Sequence, residues 1–243
     1  MPSKSSHHEG KTVHLILQRY RTCKILLDES EWRTVGYGGG GGETNPDSPR
    51  PHCGWLVYTS FANGATLESV QKAVLTLFQM PFGTWGQWEE KGGRPQSLAS
   101  LMQQAYSESK EDGDNEDTAA SPSRLSVVLC PQANLVSQVK RNGKSVQYHG
   151  QCEKTQSEQF FNYFGLYLQA LLVEHQCQLR EEAVPESLTN WKEIANLEQA
   201  LEADTTSWLE ILQLVTVVSG SFGKRQGLEF FSDMGPFCHT VRV

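Results

Sequence analysis

The β-prone segments of this chain sit at its two ends and the helix-prone segments lie between them. That order predicts an α+β domain, a mostly antiparallel sheet or barrel with packed helices. Val13 to Leu17 and Cys23 to Leu27 are short β-prone runs separated by a polar stretch, and they predict an N-terminal strand pair. Trp55 to Phe61 predicts a buried strand. Thr66 can cap the helix after it, whose apolar positions Leu67, Val70, Val74 and Leu77 recur at helical spacing. Leu125 to Cys130 is a strong strand that runs into Pro131, where proline ends regular pairing and frees backbone groups. Thr155 and Glu158 form a T-x-x-E capping box for a long helix with Phe160, Phe164, Leu168 and Leu171 on one face. Trp191, Ile194, Leu197 and Leu201 mark one further amphipathic helix. Leu209 to Val218, Leu228 to Phe231 and Cys238 to Val243 then close the chain as β-rich segments.

A single decorated domain over 1–243 accounts for this pattern, with flexible insertions at 36–51 and 106–123 and a helical insertion at 184–206. The tract Gly38 to Gly42 lacks the strand-turn-helix setting of a phosphate cradle. Trp85 and Trp88 read as packing groups, because no basic residues interleave between them. The net charge of −7 argues at first against a polyanionic partner. Six carboxylates, however, fall in the run Glu108 to Asp117, which reads as a solvated loop. Without them and Lys110 the remainder carries about −2, so a local basic site is compatible with the sequence. No segment is apolar enough to span a bilayer and the start lacks a secretion signal, so a soluble cytoplasmic protein is expected. The six cysteines form no C-x-x-C pair; reduced thiols are expected, with neither a metal nor a cofactor.

No G-x-S-x-G elbow or H-E-x-x-H helix is present. Cys238 and His239 are adjacent, and neighbours in a strand face opposite ways, so they cannot form a dyad. Cys130 could pair with His149 through space, but a cysteine ending an apolar strand reads better as a small buried hydrophobe, and His149 as a rim group. What remains is two proline-marked junctions at strand ends, Pro131 to Leu135 and Gly235 to Phe237, with the cationic stretch Lys140, Arg141 and Lys144 after the first. Both junctions are also readable as ordinary turns.

Four blocks carry a resemblance. They are VHLILQRYRTCKILL at Val13 to Leu27 and GWLVYTSFANGATLESVQKAVLTLF at Gly54 to Phe78. CPQANL at Cys130 to Leu135 joins SVQYH at Ser145 to His149, and SGSFGKRQGLEF with MGPFCHTVRV occupies Ser219 to Val243. Together they resemble the D-aminoacyl-tRNA deacylase family, closest to its animal-type branch, to which Pro131 and Ala133 point. Asn134 and Cys238 stand where the family usually has threonine, and Gln18-Arg19 is similar to the mainstream branch.

The resemblance implies a homodimer in which the Gly-Pro pair of one subunit enters the pocket of the other. Gln132, Ala133 and Asn134 would then line an aminoacyl-adenosine pocket, and Gly235, Pro236 and Phe237 would set selectivity. Lys140, Arg141 and Lys144, with Lys224 and Arg225, would contact acceptor-stem phosphates, and Tyr148 and His149 complete the expected tRNA-binding set. The implied activity is ester hydrolysis on D-aminoacyl-tRNA and on L-alanyl-tRNA of threonine specificity. Backbone N–H groups and the substrate's 2′-hydroxyl would do the chemistry, without a catalytic side chain. Two other readings stay open: a non-catalytic RNA-binding protein that retains the fold, and a thiol hydrolase using Cys130 or Cys238.

Overall fold

The computed structural model describes residues 11–27, 30–36, 53–83, 94–111, 125–140, 143–148, 150–194, 196–232 and 238–243. The tract Gly38 to Gly42, Trp85, Trp88, Arg141, His149 and the Gly235 to Phe237 junction lie outside the described residues. In chain order the strands and helices begin with β1 (Val13–Tyr20), β2 (Thr22–Leu27), β3 (Glu31–Gly36), β4 (Cys53–Phe61), α1 (Leu67–Gln79), α2 (Leu98–Glu111) and β5 (Leu125–Pro131). A 3₁₀ turn (Ala133–Val136), β6 (Gln138–Val139), β7 (Val146–Gln147) and α3 (Lys154–Arg180) follow. The chain then forms α4 (Glu186–Glu193), α5 (Leu197–Glu202), α6 (Thr206–Ile211), β8 (Val215–Ser219), β9 (Leu228–Phe231) and β10 (Cys238–Arg242).

The fold is α+β, as expected. One sheet has the order β10-β1-β4-β5-β8, a second β3-β2-β9, and β6 with β7 makes a short ribbon. Most pairings are antiparallel, but β5 runs parallel to both β4 and β8. Parallel neighbours need a crossover, and helices supply it on each side: α1 and α2 before β5, α3 to α6 after it. The sheet is therefore mixed, and it is not a barrel, since β10 and β8 remain as edges among the described residues.

β5 is covered on both faces, which is why it reads as one unbroken apolar run. Leu125, Val127 and Leu129 join α1, α2 and α3 in the main core. Val128 and Cys130 belong to a second cluster with Tyr20, Cys23, Ile25, Val35, Leu56 and Val218, between the two sheets. Tyr20 spans that layer: its ring occupies the space a Cβ on Gly54 would need, and its hydroxyl lies 2.6 Å from Ser126 Oγ. Buried polar atoms so paired add little net stability but are costly to leave alone.

Several local expectations need correction. β1 and β2 do not pair with each other: Gln18 to Tyr20 extend β1, only Arg21 intervenes, and β2 enters the second sheet between β3 and β9. The stretch contains no glycine, proline or asparagine to turn the chain back. Glu108 to Glu111 are helical, not loop. Leu98, Leu101, Met102 and Ala105 bury one face of α2, which carries the helix into the acidic run, and there the Ser107 and Ser109 hydroxyls bond back to carbonyls of the preceding turn. The α3 cap is Glu153 rather than Thr155, its carboxylate accepting the Gln156 N–H at 3.1 Å. Thr66 caps α1 as expected, in a reciprocal box with Ser69.

The 184–206 region holds two short helices instead of one, and Thr206–Ile211 adds a third where a strand was expected from Leu209. Trp191 explains their position: its ring stacks on Tyr163 and Tyr167 of α3 and meets Trp208 edge-on at 5.4 Å. Gln176, fully buried in α3, fixes the exit to β8 by donating to the Ile211 carbonyl and accepting from the Gln213 and Leu214 amides. Among the described residues no helix is long and apolar enough to cross a membrane.

Candidate functional site

β4 and β5 end side by side, with β8 on the far side of β5. Carboxyl ends of parallel strands leave a crevice because their connections depart in different directions. A cavity of about 510 Å³ lies there. Thr59, Ser60 and Phe61 of β4 form one wall, and Pro131, Gln132, Ala133 and Asn134 another. Gln151 and Cys152 follow, with Lys154 and Ser157 from the start of α3 and Phe222, Gly223 and Lys224 from the loop after β8.

The expected junction at Pro131 is thus part of the cavity wall, and its backbone is held in a definite way. The Gln132 N–H donates to the Thr59 carbonyl at 2.8 Å, so that amide is used inside the protein. Ala133 and Asn134 open the 3₁₀ turn, where the first amides have no acceptor within the turn, and neither makes a backbone hydrogen bond among the described residues. The Ala133 carbonyl accepts Ser60 Oγ at 3.2 Å and Gln151 Nε2 at 2.9 Å. A trans peptide is planar, so fixing that carbonyl fixes the Asn134 N–H of the same unit in the opposite direction. Two adjacent donors of fixed orientation can stabilise an oxyanion. All three residues expected at the pocket, Gln132, Ala133 and Asn134, line the cavity.

Gln151 reaches Ala133 because residues 150–152 run beside the end of β4. Ala62 and Gln151 form a bridge, the Cys152 N–H donates to Phe61 O at 2.9 Å, and Asn63 N–H donates to Gly150 O at 2.8 Å. At the cavity wall Thr59 is 2% exposed, and its Oγ1 has no hydrogen-bond partner among the described residues. A buried hydroxyl left so costs free energy, which a bound polar ligand would recover.

Burial makes Cys130 and Cys152 poor nucleophiles. Burial, with Cys23 beside it, pushes the Cys130 thiol up to about 12. Cys152 does line the cavity, yet its Sγ donates to Gln156 Oε1 at 2.8 Å and burial raises its pKa. The exposed Cys238 donates to Gln18 Oε1 at 2.6 Å, while His239 packs on Phe82 with ring centres 5.1 Å apart. Among the described residues no group of three or more His, Cys, Asp or Glu side chains could hold a metal ion.

Of the expected tRNA-binding set, Lys140, Lys144 and Tyr148 are exposed on or beside the β6–β7 ribbon, outside the cavity lining. The ribbon turns at Gly143, whose φ of +67° suits glycine, and the Lys140 N–H closes it on the Ser145 carbonyl at 2.9 Å. It leaves the 3₁₀ turn and returns to Gln151, so its base is anchored on both sides of Ala133. Lys224 lines the cavity and Arg225 does not. Gly235, Pro236, Phe237, Arg141 and His149 fall outside the described residues. Sequence reasoning missed Thr59, Ser60, Gln151, Lys154 and Phe222. The polar pair Thr59-Ser60 closing an apolar strand was the available signal for the first two.

No family model matches this sequence, and no curated protein matches it. Among solved structures, one described as a probable eukaryotic D-amino acid tRNA deacylase is similar, with a TM-score of 0.56 and 22% identity, covering 96% of this chain and 100% of that one. A c-Myc DNA Unwinding Element Binding Protein gives a TM-score of 0.47 at 14% identity over 95% of this chain and 98% of that one, too slight a likeness to build on. The first comparison concerns architecture, and on it this chain has a fold similar to that of the D-aminoacyl-tRNA deacylase structure, with helices α4 to α6 packed outside α3.

Proposed function

We propose that the cavity takes the 3′-terminal aminoacyl-adenosine of a mischarged tRNA and hydrolyses its ester, acting on D-aminoacyl-tRNA and on L-alanyl-tRNA of threonine specificity. One observation carries the reading: the Pro131 to Asn134 segment borders a cavity of about 510 Å³ with two adjacent unspent amides and a carbonyl locked by Ser60 and Gln151. The likeness in fold to a probable D-amino acid tRNA deacylase supports it.

In this reading water adds to the ester carbonyl and the developing negative oxygen is held by the Ala133 and Asn134 N–H groups. The 2′-hydroxyl of the terminal ribose relays the proton to the departing 3′-oxygen, and the products are the free amino acid and the uncharged 3′ end. Gly235 and Pro236 of a second copy would set selectivity by placing a main-chain carbonyl near the substrate α-carbon, where one hand of side chain clashes. The protein would act as a homodimer.

The test is incubation of the purified chain with D-aminoacyl-tRNA and with L-alanyl-tRNA of threonine specificity, following amino-acid release. Release well above buffer from either is expected. No release from both overturns the hydrolytic reading, and tight binding without release would identify a non-catalytic RNA-binding protein instead. Light scattering in solution tests the dimer, and a monomer that is active overturns the cross-subunit role of Gly235 and Pro236.

A further inference from the structure

Thr59 and Ser60 carry neighbouring hydroxyls near the end of β4, and both residues line the cavity. They are used differently. Ser60 Oγ donates to the Ala133 carbonyl at 3.2 Å, whereas Thr59 is buried and its Oγ1 has no hydrogen-bond partner among the described residues. Successive side chains of a strand face opposite ways, so Thr59 shares its face with Trp55, Val57 and Phe61 of the main core. Phe61 packs there on Phe160 of α3 with ring centres 5.7 Å apart. Ser157, which α3 adds to the same lining, turns its own hydroxyl to the Cys152 carbonyl at 3.3 Å. A valine would fill the Thr59 position with the same shape and no orphaned hydroxyl. Threonine keeps there a group that costs free energy in the ligand-free protein and recovers it when a ligand supplies a hydrogen bond.

The place of Thr59 along the strand says which part of a ligand it meets. Thr59 is in register with Pro131, and its carbonyl accepts the Gln132 N–H at 2.8 Å. It therefore lies one strand spacing, about 4.8 Å, from the chain that leads into Ala133 and Asn134. In the aminoacyl-adenosine reading the ester carbonyl sits at those two amides, and the 2′-hydroxyl is engaged with the departing 3′-oxygen. The hydrogen-bonding group of the acyl moiety still to be placed is the α-amino group, one carbon from the ester carbonyl. In either charge state it carries an N–H that Thr59 Oγ1 can accept.

We propose that Thr59 is a specificity-determining residue whose hydroxyl receives the α-amino group of the acyl moiety, so that the site distinguishes an amino acid ester from the ester of the corresponding desamino acid. This rests on the reading of the cavity as an aminoacyl-adenosine site.

The experiment is calorimetric titration of the full chain with two non-hydrolysable amides, 3′-D-alanylamino-3′-deoxyadenosine and 3′-propanoylamino-3′-deoxyadenosine, which lacks the amino group. The wild type should bind the alanyl compound about ten-fold more tightly, the scale of one buried hydrogen bond. In Thr59→Val that preference should shrink towards unity through weaker binding of the alanyl compound, with the propanoyl compound little changed, while Thr59→Ser should keep most of it. Ligand-free Thr59→Val should melt no lower than the wild type, because the hydroxyl it removes has no hydrogen bond to lose among the described residues. A variant that melts well below the wild type would mean that the fold uses the hydroxyl, which overturns the proposal. Equal affinity of the wild type for the two compounds, or an undiminished preference in Thr59→Val, also overturns it and leaves the cavity reading standing. Equal weakening of both compounds by Thr59→Val would assign the hydroxyl to a group they share and overturn the α-amino contact. A wild type that binds neither compound overturns the cavity reading and the contact with it.

Discussion

Gln151 Nε2 donates to the Ala133 carbonyl oxygen at 2.9 Å, and through that one bond a side chain from the loop before α3 orients a peptide unit at the end of β5. The partner in this task is Ser60 Oγ at 3.2 Å. Because the carbonyl and the following N–H share a plane, Gln151 also sets the direction of the Asn134 amide. Gln151→Met keeps the volume and removes the donor. The expected outcome is a kcat for deacylation lower by about ten-fold, the value of misaligning one oxyanion donor in part, with KM nearly unchanged. Steady-state kinetics check this, and a loss confined to KM would assign Gln151 to substrate binding instead.

Cys130 sits one residue from the cavity wall, which makes it the natural suspect for a thiol mechanism. Its surroundings favour the neutral thiol, with a pKa of about 12 against an ordinary 9. Cys130→Ala should therefore leave deacylation within about two-fold of the wild type. An inactive but folded Cys130→Ala would revive the nucleophile. The same burial has a stability consequence, shared with Cys23, whose thiol is also pushed up to about 12. Both pKa values are raised in the fold, so the unfolded chain loses these protons first. Stability is intact below about pH 9 and falls as pH rises from there towards 12. Melting temperatures across that window should drop more shallowly in Cys23→Ala than in the wild type.

The elements that sequence made legible are those whose pattern is local. Thr66 is followed by helical periodicity and caps α1; Leu125 to Cys130 is apolar throughout and is the central strand β5. Pairing was less legible, because β1 and β2 differ in partners for reasons that lie more than two hundred residues away, in β9 and β10. The site followed the same division. Gln132, Ala133 and Asn134 carry a proline-marked signature, whereas Gln151 is an ordinary polar residue whose contact with Ala133 arises across the fold. Glu108 to Glu111 misled because charge suggests solvation, and a helix can be solvated on one side while Leu101, Met102 and Ala105 bury the other.

Trp191 is 3% exposed, its Nε1 donates to the Ala200 carbonyl at 3.1 Å, and its ring stacks on Tyr163 at 5.6 Å. One residue thereby ties α4 and α5 to α3. Trp191→Ala should cost about 3–5 kcal/mol of unfolding free energy, the usual range for emptying an aromatic core site. Denaturant titration measures it. If the 184–206 region were held by a partner and not by this packing, the loss would stay below about 1 kcal/mol.

The β6–β7 ribbon presents Lys140 and Lys144 outside the cavity but is anchored beside Ala133, which suits contacts to nucleic-acid backbone further from the 3′ end. Backbone contacts act through counterion release, so each one lost lowers the slope of log Kd against log salt by about one. Lys140→Gln combined with Lys144→Gln should weaken binding of whole tRNA and reduce that slope by about two. The affinity for a nucleotide-sized analogue should fall far less, since the ribbon lies outside the cavity lining. Filter binding of tRNA at several salt concentrations, beside titration of the analogue, reads both quantities. A slope that does not change would leave the ribbon a solvated surface, and equal losses for tRNA and analogue would mean that the substitutions act through Ala133 and the cavity wall.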